Sequence, residues 1–200
     1  MGTTEPREAI LTAALELFPR FGFKKTSVEE IATRARIGKG TIYLHFPSKE
    51  ELFGAAVRRV WEKSLQELTI EVKNAATPEE KLAAYVKGRV NQFVKRASEL
   101  QVPADMFFEL RAAADPYLDA FEEAELQLLE GILIEGRDSR AFVIDEPGSL
   151  ALALRTALRA VEVEVIDPKK GEPLRAAMDS LCLVLIRGLK IPNRIPANEA

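Results

Sequence analysis

The chain has 200 residues, 47% of them hydrophobic and 30% charged, a composition typical of globular proteins and not of disordered ones. Its longest strongly apolar run, residues 181–186, is far shorter than the roughly 20 residues of a membrane-spanning helix, and the N-terminus lacks the pattern of a secretory signal. The single cysteine, Cys182, excludes an intrachain disulfide, so we expect a cytoplasmic protein without a membrane partner.

The charge of the chain is unevenly distributed. Residues 20–49 contain seven Lys or Arg and two Glu, a net charge of +5. Because the whole chain carries −3, the other 170 residues carry −8. A local excess of positive charge is typical of a surface that binds nucleic-acid phosphates, although a solvated basic surface would show the same count.

The first two predicted helices are short and amphipathic. Apolar residues at spacings of three and four predict a helix over residues 7–21, which ends at Gly22. Thr26 and Ser27 are both N-cap candidates for the second helix, because each is followed three residues later by a Glu, as in a capping box. We expect the second helix to end near Gly38.

The third predicted helix, residues 39–46, is only two turns long. Such a helix is marginal in water, so it must be held by packing of Ile42 and Phe46. A capping-box spacing at Ser48 then opens a fourth helix that continues to about Val72.

The rest of the chain predicts five further helices and shows no β-hairpin pattern or internal repeat. They begin near Thr77, Pro103, Asp115, residue 149 and residue 172. Residues 161–166 alternate with period two, as a strand would, but a helix-favouring run leads into them without a break, and we assign them to a helix. The sequence therefore predicts an all-α fold of about nine helices.

Three motifs in the basic segment carry a family resemblance: Thr26–Ala32, Gly38–Phe46 and Ser48–Leu52. Together they resemble the DNA-binding domain of the TetR family of bacterial transcriptional regulators. The resemblance implies a helix-turn-helix DNA-binding domain at residues 1–47 and a larger ligand-binding and dimerisation domain at residues 48–200, with the helix at 48–73 connecting the two.

The family resemblance also implies a function. Members are usually repressors that bind a palindromic operator in double-stranded DNA as homodimers and are released by a small-molecule inducer. A regulator that acts without a ligand, or as an activator, stays open as the alternative.

The predicted DNA contacts follow from the burial of Ile42 and Phe46, which leaves the opposite side of the third helix free to face the major groove. The resemblance adds phosphate contacts by Tyr43 and Lys49. The full predicted set is Thr26, Ser27, Lys39, Gly40, Thr41, Tyr43, Leu44, His45 and Lys49. Plain helix capping by Thr26 and Ser27, and a structural role for Leu44 and His45, are the alternatives.

The larger half has two predicted sites. The resemblance implies an inducer pocket, for which the candidates are Trp61, Tyr85, Arg89, Phe93, Phe107, Phe108, Arg111, Tyr117 and Phe121. It also implies a four-helix bundle between two subunits, for which the candidates are Leu154, Leu158, Val161, Val165, Met178, Leu181 and Leu185. Both sets are also compatible with an ordinary packed core.

Enzymatic motifs are missing from the sequence. The one histidine, His45, lies in the basic segment, and no HExxH, CxxC, GxSxG or glycine-rich phosphate loop is present. We therefore expect neither an enzyme, nor a metal site, nor a cofactor.

Overall fold

The computed structural model describes residues 5–100, 104–164 and 170–190, and within these ranges it contains helices and no strand. The predicted all-α fold is confirmed. None of the described helices is both long enough and apolar enough to cross a membrane. The described residues form nine α-helices: α1 (Pro6–Phe21), α2 (Val28–Ala35), α3 (Lys39–His45), α4 (Lys49–Asn74), α5 (Pro78–Leu100), α6 (Ala104–Ala114), α7 (Asp119–Asp138), α8 (Pro147–Glu164) and α9 (Gly171–Leu189), with a 3₁₀ turn at Asp115–Tyr117.

The described residues pack into two compact units. The first unit lies within Met1–Leu65 and Lys95–Glu122, and the second within Gln66–Val94 and Glu123–Ala200. Helices α4 and α5 therefore contribute to both. The predicted functional division between residues 47 and 48 stays a prediction, and the structure adds that later residues also pack into the first unit.

The core of the first unit is built from the apolar faces of its helices. Ile10 and Phe18 of α1, Ile31 of α2 and Ile42 of α3 are almost fully buried. Phe18 meets Phe53 of α4 edge to face, with ring centroids 5.0 Å apart. This shared core fixes α1, α2 and α3 against the start of α4.

The caps around α2 and α4 are local in origin. The Ser27 hydroxyl accepts a hydrogen bond from the Glu30 N–H at 3.2 Å, and the Glu30 carboxylate accepts one from the Ser27 N–H at 2.8 Å. Of the two predicted capping boxes for α2, the structure forms this one. The predicted cap of α4 is confirmed, since the Ser48 hydroxyl accepts from the Glu51 N–H at 3.1 Å.

The second unit has an apolar core with a charged pair inside it. Leu82, Leu129 and Leu133 are fully buried, while Arg89 of α5 and Glu125 of α7 are buried beside them. The helical assignment of the alternating segment is confirmed through Glu164, where α8 ends. Its last two residues lie outside the described residues.

Candidate nucleic-acid interface

Helix α3 has a buried side and an exposed side. Ile42 and the following Phe46 are 1% and 4% exposed. On the other side, Leu44 is 85% exposed and Tyr43 is 44% exposed, with Lys39, Gly40 and His45 also exposed and Thr41 half-buried. The exposed side of α3 thus carries an accessible row of side chains, while its buried side anchors the helix in the core.

Lys39, the first residue of α3, has an acidic partner. Its ammonium forms an ion pair with the carboxylate of Glu29 in α2 and lies 5.9 Å from the ring centroid of Tyr43. The hydrogen bond between them lowers the pKa of Glu29 and raises the pKa of Lys39. Both groups are therefore firmly charged near neutral pH. Residue spacing gave no signal for this pairing across the α2–α3 turn.

Thr26 and Ser27 both use their hydroxyls within the chain. Thr26 is 1% exposed, and its hydroxyl donates to the Gly22 carbonyl at 2.7 Å, which locks the turn between α1 and α2. Ser27 caps α2 together with Glu30. The pKa of Glu30 is lowered because its carboxylate accepts from the backbone and hydroxyl of Ser27. Phosphate binding by Thr26 and Ser27 stays a prediction.

Lys49 is tied to the α1–α2 turn. Its ammonium donates to the carbonyls of Phe23 at 3.0 Å, Thr26 at 3.2 Å and Lys24 at 3.4 Å, and it lies 4.5 Å from the centroid of the Phe23 ring. An ammonium has three N–H donors, and three chain carbonyls match that number. The structure therefore gives this predicted phosphate contact a structural role at the junction of α4 with the turn.

Two further contacts reach the interface from residues more than 60 positions away. The Lys24 N–H, just before α2, donates to the Glu109 carboxylate of α6 at 3.0 Å. The Tyr117 hydroxyl donates to the Glu50 carbonyl, in the first turn of α4, at 3.1 Å. Burial and the nearby Glu51 raise the pKa of Tyr117, so the hydroxyl stays protonated and can donate. Sequence analysis missed Glu109 and placed Tyr117 in a ligand pocket.

Residues of the first four helices match a known family. Residues 10–56 match the family model described as "Bacterial regulatory proteins, tetR family". The chain therefore carries an N-terminal domain of the TetR family at residues 10–56. It is a DNA-binding transcriptional regulator.

Individual TetR-related proteins support this assignment. The fatty acid metabolism regulator protein of Bacillus subtilis is 29% identical over 137 residues, which cover 65% of this chain and 67% of that protein. The regulator RutR of Escherichia coli K12 is 44% identical over 54 residues, but the match spans only 27% of this chain and 26% of RutR.

A solved structure supports the fold over nearly the whole chain. The transcriptional regulator FadR from Bacillus subtilis, in complex with stearoyl-CoA, superposes with a TM-score of 0.65 at 24% identity. The match covers 90% of this chain and 98% of FadR. At this identity the likeness concerns the fold.

The predicted pocket residues fall on both units. In the second unit, Tyr85 donates to Glu125 at 2.9 Å, and Arg89 lies 2.5 Å from the same carboxylate and 4.4 Å from the centroid of the Phe93 ring. Burial and the Glu125 charge raise the pKa of Tyr85, so it stays a neutral donor. These three predicted residues form a buried polar cluster with Glu125.

The other six predicted pocket residues belong to the first unit. Trp61 is flanked by the guanidinium groups of Arg96 and Arg111, which lie 4.9 and 5.9 Å from its ring centroid. Phe107 and Phe108 pack edge to face at 6.0 Å, while Tyr117 packs against Phe53 in the core. Phe121 is half-buried.

A cleft in the first unit was not predicted. Its volume is about 290 Å³, and it lies between α1 and α4. The lining residues are Arg7, Glu8, Leu11, Ala55, Arg58, Arg59 and Glu62. This charged lining differs from the aromatic pocket that the sequence predicts.

The predicted dimer residues differ in their exposure. Leu158 and Val161 are buried, and Leu154, Met178 and Leu185 are half-buried, whereas Leu181 is 53% exposed. Val165 lies outside the described residues. Among the described side chains of α8 and α9, the large apolar ones that are exposed are Leu152, Leu181, Leu183 and Val184. The interface prediction stays untested. Leu181 is the one residue that belongs to both the exposed set and the predicted set.

Replacing Lys49 tests whether it holds the turn. We expect Lys49→Ala to lower the free energy of unfolding by about 1.5–3 kcal/mol, because hydrogen bonds to a charged group are lost. Urea unfolding followed by circular dichroism measures the change. Lys25→Ala, which removes an exposed lysine from the same unit, should leave the unfolding curve unchanged. A Lys49→Ala protein as stable as the parent, with weaker DNA binding alone, would instead support a pure phosphate contact.

Proposed function

We propose that this protein is a repressor that binds a palindromic operator as a homodimer, with α3 in the major groove, and leaves the operator when a small molecule binds. The observation that carries the DNA-binding half is the exposed face of α3 above the buried Ile42 and Phe46. A bacterial operator lies in the cytoplasm, and we place the protein there.

The α3 side chains divide into base and backbone contacts. Lys39 has donors that match the O6 and N7 acceptors of guanine, and the exposed Leu44 matches a thymine methyl group. We assign phosphate contacts beside the groove to the exposed Tyr43 and His45. Gly40 adds no side chain, which lets the helix backbone approach the bases. Thr41 lies in the sequence between Lys39, assigned to a base, and Tyr43, assigned to a phosphate. Lys49 supports these contacts by holding the turn before α2.

A homodimer is supported by an apolar stripe on α9. Ala177, Leu181, Val184 and Gly188 follow one another at spacings of four, three and four residues, and each is exposed. This period is typical of helices that pack against a partner helix. Leu152 of α8 adds a further exposed apolar side chain. Pairing two subunits through this stripe would present two copies of α3 to one site.

A fatty acyl-CoA is the ligand class that we propose. The support comes from the similarity to a fatty acid metabolism regulator protein of Bacillus subtilis and from the fold likeness to the FadR structure, which was determined in complex with stearoyl-CoA. A ligand that prefers a conformation with poor DNA affinity would shift the population away from the operator complex.

Removal of the exposed α3 donors tests the DNA-binding proposal. We expect the Lys39→Ala, Tyr43→Ala double variant to bind its operator at least about 10-fold more weakly, because a base or phosphate contact contributes about 1–3 kcal/mol. The operator would be a duplex that the parent enriches from random DNA, and the affinity would be measured by fluorescence anisotropy. Lys73→Ala, an exposed lysine of the second unit, is the control. Equal affinity of the double variant and the parent would refute the assignment.

A charge within the apolar stripe tests the dimer. We expect Val184→Arg to produce monomers at micromolar concentration, because Val184 is 65% exposed and two arginines would face each other across the two-fold axis. Sedimentation velocity measures the mass. Ile70→Arg, at an exposed apolar position on α4, should stay dimeric. A dimeric Val184→Arg protein would place the interface elsewhere.

The fluorescence of Trp61, the one tryptophan of the chain, can be used to test the ligand proposal. We expect stearoyl-CoA, titrated below its micelle concentration, to change Trp61 fluorescence and to release operator DNA in the same concentration range. Coenzyme A alone should do neither. Operator binding that is unaffected by stearoyl-CoA would remove acyl-CoA as the ligand.

A further inference from the structure

The carboxylate of Glu29 lies beside Lys39, the first residue of α3. The Glu29–Lys39 ion pair bridges α2 and α3, with side chains 60% and 48% exposed. We propose that Glu29 is a specificity-determining residue: it holds Lys39 toward base edges and makes phosphate binding by Lys39 unfavourable. This inference rests on the proposed DNA-binding role of α3.

The pair leaves Lys39 able to read a base. The Glu29 carboxylate takes one N–H donor of the ammonium, so two donors remain for the O6 and N7 acceptors of guanine. The Tyr43 ring, 5.9 Å from the ammonium, adds a second contact on the side of α3. A long and otherwise flexible side chain is thereby ordered before DNA arrives, which lowers the entropy cost of a base contact.

The same pair opposes binding to DNA of arbitrary sequence. Non-specific affinity comes from Lys and Arg that neutralise phosphates. Lys39 would have to leave Glu29 to join them, and the released carboxylate would then face the phosphates without a partner. A base contact made with the pair intact avoids this penalty. Glu29 therefore lowers non-specific affinity more than operator affinity.

The neighbouring carboxylates have other partners, which makes Glu29 distinct. Glu30 is used in the cap with Ser27, and Glu16 pairs with Arg34 at 2.5 Å on the exposed surface. Glu16→Gln therefore gives a matched control, because it also removes one negative charge and breaks one exposed ion pair of the same unit without touching Lys39.

The test compares two duplexes of equal length, an enriched operator and a random sequence, between 50 and 200 mM salt. For Glu29→Gln we expect about fivefold tighter binding to the random duplex, the order expected for an exposed ion pair, and less than about twofold change on the operator. The salt slope on the random duplex should steepen by about 0.9 for each lysine that gains a phosphate. Glu16→Gln should leave the ratio of the two affinities unchanged, and Lys39→Gln should abolish the effect of Glu29→Gln.

Three results would overturn the role of Glu29: equal gains on both duplexes, the same ratio change in Glu16→Gln, or an effect that persists with Lys39→Gln. Failure of the proposed function looks different, because the parent would then enrich no duplex, or Lys39→Gln would bind the operator as tightly as the parent. Thermal unfolding by circular dichroism confirms that each variant is folded.

Discussion

A helix of seven residues is not stable on its own in water. The whole candidate interface therefore depends on the packing that stabilises α3. Ile42 and Phe46 anchor α3 in the core of the first unit. Lys49 fastens the α1–α2 turn to the start of α4 through three backbone carbonyls. The outward direction of Lys39 and Tyr43 is a consequence of these anchors, because burial of one side of α3 leaves the other side to solvent.

The anchors themselves are supported from a distant part of the chain. The Glu109 carboxylate of α6 accepts a hydrogen bond from the Lys24 N–H, and the Tyr117 hydroxyl donates one to the carbonyl of Glu50. Both contacts are made to backbone groups that flank the α2–α3 segment, so they constrain where that segment lies. A displacement of α6 would strain or break the Glu109 contact, and the turn before α2 would lose one of its restraints.

Local spacing was sufficient to predict the cap at Ser48 and the inward face of α3, because each depends on residues within one or two turns. For the cap of α2 it left both Thr26 and Ser27 as candidates, and the structure selects Ser27. The partners of Lys39 and Lys49 could not be predicted in this way, since each is set by how separate elements pack. Apolar residues surround much of α8 and α9, and periodicity could not decide which of them face inward. The structure buries Leu158 and exposes Val184.

Chemical probing of the operator tests most directly whether α3 reads the major groove. Dimethyl sulfate methylates guanine at N7 in the major groove and adenine at N3 in the minor groove, positions that a bound helix shields selectively. If α3 reads the major groove, guanine N7 is protected in two patches about one helical turn apart, and the Lys39→Ala protein loses this protection. Protection confined to adenine N3, or a single patch, is incompatible with this binding mode.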